Sequence, residues 1–219
     1  KSMTTENRRP IAARQNRLSQ RFAHWLAVKK ILTPNQISLL SVLFAAFGAL
    51  FLCLSTYPAA LIAAAVCVQL RLLCNLFDGM VAVEGGMKTP GGELFNEFPD
   101  RAADSLFLVA LGYGAGLGWL GWLGALLAAL TAYIRIFGGS LGLPQSFRGP
   151  MAKQHRMALL TAACLFGAWE VAANQSVYAL QAAAGLIAVG SAATCWLRSR
   201  DIYRELHRRA AIAPQEIAE

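Results

Sequence analysis

The chain reads as an all-α, polytopic membrane protein with six transmembrane helices, and three observations predict it. Of its 219 residues 56% are hydrophobic and only 15% charged, with a mean hydropathy of +0.45, whereas soluble domains carry about a quarter charged residues. Six apolar stretches, each near the ~20 residues that a bilayer core requires, can be drawn at 37–57, 59–83, 93–116, 119–141, 155–173 and 177–197. Lys and Arg also alternate between connections. Segments 55–58, 112–118 and 169–176 hold none, while the opposite ends hold Lys88, Arg148, Lys153, Arg156 and the run Arg198, Arg200, Arg204, Arg208 and Arg209. By the positive-inside rule the basic face is cytoplasmic, and an even number of spans puts both termini there.

The elements follow in order. In the basic arm at 1–36, Leu18, Phe22, Trp25 and Leu26 keep helical spacing among Arg17, Arg21, Lys29 and Lys30, which predicts an N-terminal interfacial amphipathic helix. The first 30 residues carry eight Lys or Arg and no compact apolar core, so no cleavable signal peptide is expected. Thr33-Pro34-Asn35-Gln36 predicts the next helix start: Thr33 caps, Pro34 suits the first position, Gln36 completes a capping box, and Leu32 staples onto Ile37. Residues 37–198 form the six-helix domain. Residues 199–219 form a basic surface helix and tail, drawn to anionic headgroups of membrane lipids.

Gly112, Gly114, Gly116, Gly118, Gly121 and Gly124 allow close helix approach, in a tight hairpin or in a homodimer interface. Cys53, Cys67, Cys74, Cys164 and Cys195 show no CxxC or Cys/His metal spacing and read as reduced packing residues. Glu170, at the face without basic residues, is expected to be solvated. The net charge of +8 does not point to nucleic acid, because no aromatic-basic platform accompanies it.

The chemistry concentrates in one window. Six of the twelve carboxylates, Asp78, Glu84, Glu93, Glu97, Asp100 and Asp104, fall between 78 and 104, and acids at membrane depth mark functional sites. Arg71, Asn75, Asp78 and Ala82 share an arc of roughly 60° on a helix, and Glu93, Glu97, Asp100 and Asp104 repeat the same offsets on the next. Gly79 leaves room for a ligand to approach the backbone. Carboxylates this close need compensating charge. Divalent cations on oxygen ligands supply it, and would suit a pyrophosphate substrate; Arg71 and Arg101 could also neutralise some acids in a structural ion network.

Asn75-Leu-Phe-Asp78-Gly79-Met-Val-Ala82-Val83, then eight residues, then Gly92-Glu-Leu-Phe-Asn96-Glu97-Phe-Pro-Asp100, resembles the CDP-alcohol phosphotransferase signature D-x-x-D-G-x-x-A-R, eight residues, G-x-x-x-D-x-x-x-D. Asp78, Gly79, Ala82, Gly92 and Asp100 match; Asn75, Val83 and Asn96 stand where that signature has Asp, Arg and Asp. A second register, with a four-residue insertion, makes Asp100 and Asp104 the last two acids.

The resemblance implies transfer of a phosphatidyl group from a CDP-linked lipid such as CDP-diacylglycerol to the hydroxyl of a small polar alcohol, with CMP released. It implies one or two Mg²⁺ or Mn²⁺ ions held by Asp78, Asp100, Asn75 and Asn96. Glu97 and Asp104 are candidates to restore the two lost charges, and Glu84 is a weaker one. Asp100 or Asp104 would act as base, and Asn75, Gly79, Ala82 and Gly92 would face the nucleotide.

Arg135, Arg148, Lys153 and Arg156 form a basic group facing the acids and suit a phosphorylated acceptor; His155 reads as a surface residue. The family also commonly forms homodimers. Two other readings remain: a cation-coupled transporter, since intramembrane acids also line ion pathways, and an inactive nucleotide-lipid-binding relative.

Overall fold

The computed structural model describes Trp25, Lys29, residues 32–84, Gly86 and residues 91–216; of Glu84, Glu93, Phe95, Asn96 and residues 212–216 it describes the backbone alone. The expected N-terminal amphipathic helix therefore lies almost wholly outside the described residues, as do the side chains of Asn96, Glu93 and Glu84. Six long helices and no strands occur among the described residues: α1 (Pro34–Cys53), α2 (Pro58–Glu84), α3 (Gly92–Gly114), α4 (Gly118–Ser140), α5 (Lys153–Asn174) and α6 (Tyr178–Glu216). Five of them, all but α3, are long and apolar enough to cross a membrane. The exception carries Glu93, Glu97, Asp100, Arg101 and Asp104 within 23 residues.

Local chemistry explains the first helix start. Thr33 caps α1 and exchanges both capping-box hydrogen bonds with Gln36, with Pro34 in the first turn. Leu32 packs on the cluster that holds Ile37, Cys74, Leu76, Met80 and Val81. Along α1 the buried residues Ile37, Ser38, Ser41, Ala45, Gly48 and Leu52 form a stripe of mostly small side chains. Leu39, Phe47 and Leu50 point outward. Small residues inward and large apolar residues outward is the pattern of helices that pack within lipid.

The helices close into a ring. α1 packs on α2 and α3, α2 on α5, α5 on α6, α6 on α4, and α4 on α3. Phe107, Leu61, Val68, Leu111, Leu160 and Ile187 belong to the apolar core within it. In this order α2 and α3 flank α1, and side chains from the two helices that carry the acid window meet inside the ring.

The glycines are used inside the chain. A Cβ at Gly112 would sit 2.5 Å from Gly121 Cα, and one at Gly114 would strike the Leu52 carbonyl. The α3–α4 hairpin and its seat on α1 therefore need hydrogen at both positions.

Two features differ from the sequence reading. Glu170 is not simply solvated: it accepts from Ala179 N at 2.8 Å and from the Ser176 hydroxyl at 3.1 Å, and so satisfies one of the N–H groups that the start of α6 leaves without helical partners. The basic segment after 198 continues α6 without a break to Glu216. It is tied down by Ile202, which fills the space beside Gly138, and by Arg209, which donates to Gly142 O at 3.2 Å. All five cysteines are free.

Candidate active site

Asp100, from the middle of α3, is the hub. Its carboxylate accepts from Arg71 Nη2 at 3.0 Å, from Asn75 Nδ2 at 2.6 Å and from Arg101 Nη2 at 3.0 Å, and both its oxygens meet the Lys153 ammonium. One turn further, Asp104 is held by Arg71 at 2.7 Å and by Arg156 at 3.0 Å. Both Arg71 and Arg156 are buried, at 0% and 1% exposed. Asp78 lies apart from this knot and accepts from Ser38 Oγ on α1 at 2.8 Å. Glu97 takes Arg135 Nη2 at 2.7 Å, and Arg135 also donates to Gln145 at 2.7 Å.

The basic side of the site is positioned by the α4–α5 loop. Gly149 has φ +129° and a Cβ there would strike Thr194, so the loop can lie against α6 only with glycine at this position. Thr194 Oγ1 then accepts from Met151 N at 3.0 Å, and Arg198 Nε donates to Arg148 O at 2.9 Å. With the loop fixed, α5 begins at Lys153 and brings Arg156 one turn later.

Cations in the first turn oppose the helix macrodipole, which favours anions there by typically 0.3–1 kcal/mol. Lys153 and Arg156 accept that cost at the start of α5, whose cap residue Ala152 offers no side-chain acceptor. The result is a cleft lined by Arg101, Arg135, Lys153, Arg156, Arg198 and Thr131. Four strands of chemistry converge there: two cationic side chains, a helix N-terminus, a guanidinium from α4 and another from α6. Such a place attracts an anion with several oxygens.

Of the residues expected from sequence, Asn75, Asp78, Asp100, Asp104, Lys153, Arg156, Arg135 and Glu97 come together around the ring interior. Gly79 and Ala82 follow Asp78 on α2, and Gly92 is the first residue of α3. Arg148 stands outside the cleft with an exposed side chain and contributes its carbonyl. Glu97 and Asp104 are engaged by arginines. Sequence reading missed Ser38 and Arg198, and it ranked Arg71 and Arg101 as a lesser alternative. The α1 face that carries Ser38 and Ser41 among small residues is the signal that could have found the first.

The donor set decides what cation the site can take. Among the described residues no three His, Cys, Asp or Glu side chains group as metal ligands. Both oxygens of Asp100 and both of Asp104 are bonded to cationic side chains. Among the described residues no cationic side chain pairs with Asp78, and Asn75 gives its amide nitrogen to Asp100, leaving its amide oxygen for another partner. These two residues fit one hard cation through oxygen ligands; the acids on α3 do not fit a second.

Comparison with known proteins bears on the family. Residues 31–196 match the family model for CDP-alcohol phosphatidyltransferase. The chain is 28% identical over 149 residues to the inner membrane protein YnbA of Escherichia coli K12, covering 68% of this chain and 71% of that protein. Its fold is similar to that of phosphatidylinositol phosphate synthase PgsA1 of Mycobacterium tuberculosis with CDP-DAG bound, with a TM-score of 0.72 at 21% identity over 86% of this chain and 94% of that one. The same enzyme in complex with manganese and citrate gives a TM-score of 0.71 at 21% identity, over 84% and 88% of the two chains. With a family-model match that spans residues 31–196, most of its length, this chain belongs to the CDP-alcohol phosphatidyltransferase family.

Proposed function

We propose that the protein transfers a phosphatidyl group from CDP-diacylglycerol, or a related CDP-lipid, to the hydroxyl of a small polar alcohol that itself carries a phosphate. The observation that carries this reading is the juxtaposition of Asp100 with the cationic cleft of Arg135, Lys153 and Arg156. An acceptor phosphate seated among those cations brings a neighbouring hydroxyl towards the acid hub, and charge-assisted bonds to phosphate are the strong ones.

In the reaction, the acceptor oxygen attacks the phosphorus that bears the diacylglycerol, the P–O bond to CMP breaks, and Asp100 takes the hydroxyl proton. Asp100 is favoured over Asp104 as the base because its side chain, beside the Lys153 ammonium, is 13% exposed against 3% for Asp104. Lys153 and Arg101 orient the Asp100 carboxylate, and the surrounding guanidinium groups oppose the negative charge that grows on the phosphates. Gly79, Ala82 and Gly92 keep the path to the nucleotide free of large side chains. Asp78 and the Asn75 amide oxygen would hold a divalent cation, Mg²⁺ or Mn²⁺. Its chemistry there is Lewis-acid polarisation of the pyrophosphate.

In the bilayer, α3 serves as a sixth span. Its carboxylates turn inward onto arginines and a lysine, which is the arrangement that lets ionisable groups persist at membrane depth. The basic ends face the cytoplasm by the positive-inside rule. The reading is tested by CMP release from CDP-diacylglycerol with a panel of alcohols. Phosphorylated polyols should act at lower KM than their unphosphorylated forms by at least about tenfold, the worth of one charge-assisted hydrogen bond. Equal use of both forms would remove the phosphate from the proposal.

A further inference from the structure

The acid window looks short of charge for the family's work, with Asn75 and Asn96 in place of two aspartates. The cationic side supplies a compensating charge. Arg71 lies one turn before Asn75 on α2, fully buried, and its Nη2 reaches Asp100 Oδ1 at 3.0 Å, Asp100 O at 3.3 Å and Asp104 Oδ1 at 2.7 Å. Its Nη1 and Nε make no hydrogen bond among the described residues. A guanidinium placed for its hydrogen bonds would use both edges. This one uses a single nitrogen, set between two carboxylates, as a point of positive charge.

We infer that the Arg71 guanidinium takes the place of one divalent cation, so that the site holds at most one metal ion, next to Asp78 and Asn75. The inference rests on the proposed function, since it concerns how that site handles a pyrophosphate. Two facts support it beyond the position of Arg71. Three carboxylates, Glu97, Asp100 and Asp104, are ion-paired among five cationic side chains, Arg71, Arg101, Arg135, Lys153 and Arg156, while Asp78 lies apart from them. A further dication among them would meet like charge in a poorly solvated interior. The asparagines fit the same logic: with a permanent cation built into α2, two fewer aspartates are needed, and Asn75 instead donates its amide to Asp100.

Mn²⁺ bound per chain can be counted from the loss of the free-ion paramagnetic resonance signal. The count is made on the full chain purified in detergent, with saturating CDP-diacylglycerol and no acceptor. The wild type and Arg71→Lys should bind no more than one ion. Arg71→Met, which removes the one cation that Asp100 and Asp104 share, should bind one ion more than the wild type. Two ions on the wild type would overturn the inference, as would a folded Arg71→Met that gains none. If Arg71→Met does not fold, the wild-type and Arg71→Lys counts decide. Because no turnover is involved, the outcome is separate from the proposed reaction. At most one ion on a protein that releases no CMP with any alcohol would sink the reaction alone, and two ions with full CMP release would sink this inference alone.

Discussion

Glu97 of α3 and Arg135 of α4 are joined at 2.7 Å across the mouth of the cationic cleft. Gln145 holds the same guanidinium at 2.7 Å, and the Phe147 ring lies 5.4 Å from it. Arg135 is thus held from three sides, one of them by Glu97.

Arg135→Ala should raise KM for a phosphorylated acceptor by about 30-fold or more while changing kcat less, as loss of a ground-state phosphate contact does. Glu97→Gln should raise the same KM by about tenfold or less and leave the apparent Mg²⁺ or Mn²⁺ requirement unchanged. A weakened metal response in Glu97→Gln would return that residue to the metal shell.

The loop anchor gives a prediction on rate. Thr194→Val keeps the shape but removes the acceptor for Met151 N, at a cost of about 1–3 kcal/mol for an N–H left unpaired. Because that loop sets where α5 begins, kcat should fall along with thermal stability. A variant that loses stability and keeps kcat would uncouple the loop from Lys153.

The hairpin glycines should tolerate no methyl group. Gly121→Ala would bring a Cβ within 2.8 Å of Gly112 Cα and of the Leu108 and Val109 carbonyls, an overpacking of about 1–3 kcal/mol. Gly185→Ala meets nothing within 4 Å and should stabilise α6 by up to about 1 kcal/mol. Thermal unfolding in detergent measures both, and the difference in sign is the test.

At the far membrane face, Glu170→Gln should lower stability by about 1 kcal/mol through the weakened cap on α6, with kcat per folded molecule unchanged. A fall in kcat would link the two faces of the bundle.

Much of this was legible in the sequence, for physical reasons. Helix starts are local events, so Thr33, Pro34 and Gln36 announced α1. Span lengths follow from bilayer thickness, so five spans fell within a few residues of the observed helices. Asp78 and Asp100 stood out because their spacing matches a family signature. The pairings did not show. Arg71 to Asp104, Arg135 to Glu97 and Lys153 to Asp100 join segments 33, 38 and 53 residues apart, and which cation meets which acid depends on the order of helices around the ring. Lys and Arg at cytoplasmic ends follow the positive-inside bias whether or not they reach an acid. Arg148 and Lys153 therefore read alike, although only Lys153 enters the cleft.

Under the proposed function, transfer from a CDP-lipid is driven by Asp100, set by Lys153 beside a phosphate-binding cleft. It is tested most directly by acceptor-dependent CMP release from CDP-diacylglycerol, using purified wild type and Asp100→Asn with a phosphorylated polyol. The account requires release by the wild type and a loss of at least about 100-fold in Asp100→Asn, within the range of a general base. Release that survives in Asp100→Asn would contradict it, as would a wild type that frees no CMP with any alcohol but carries a solute into liposomes on an ion gradient.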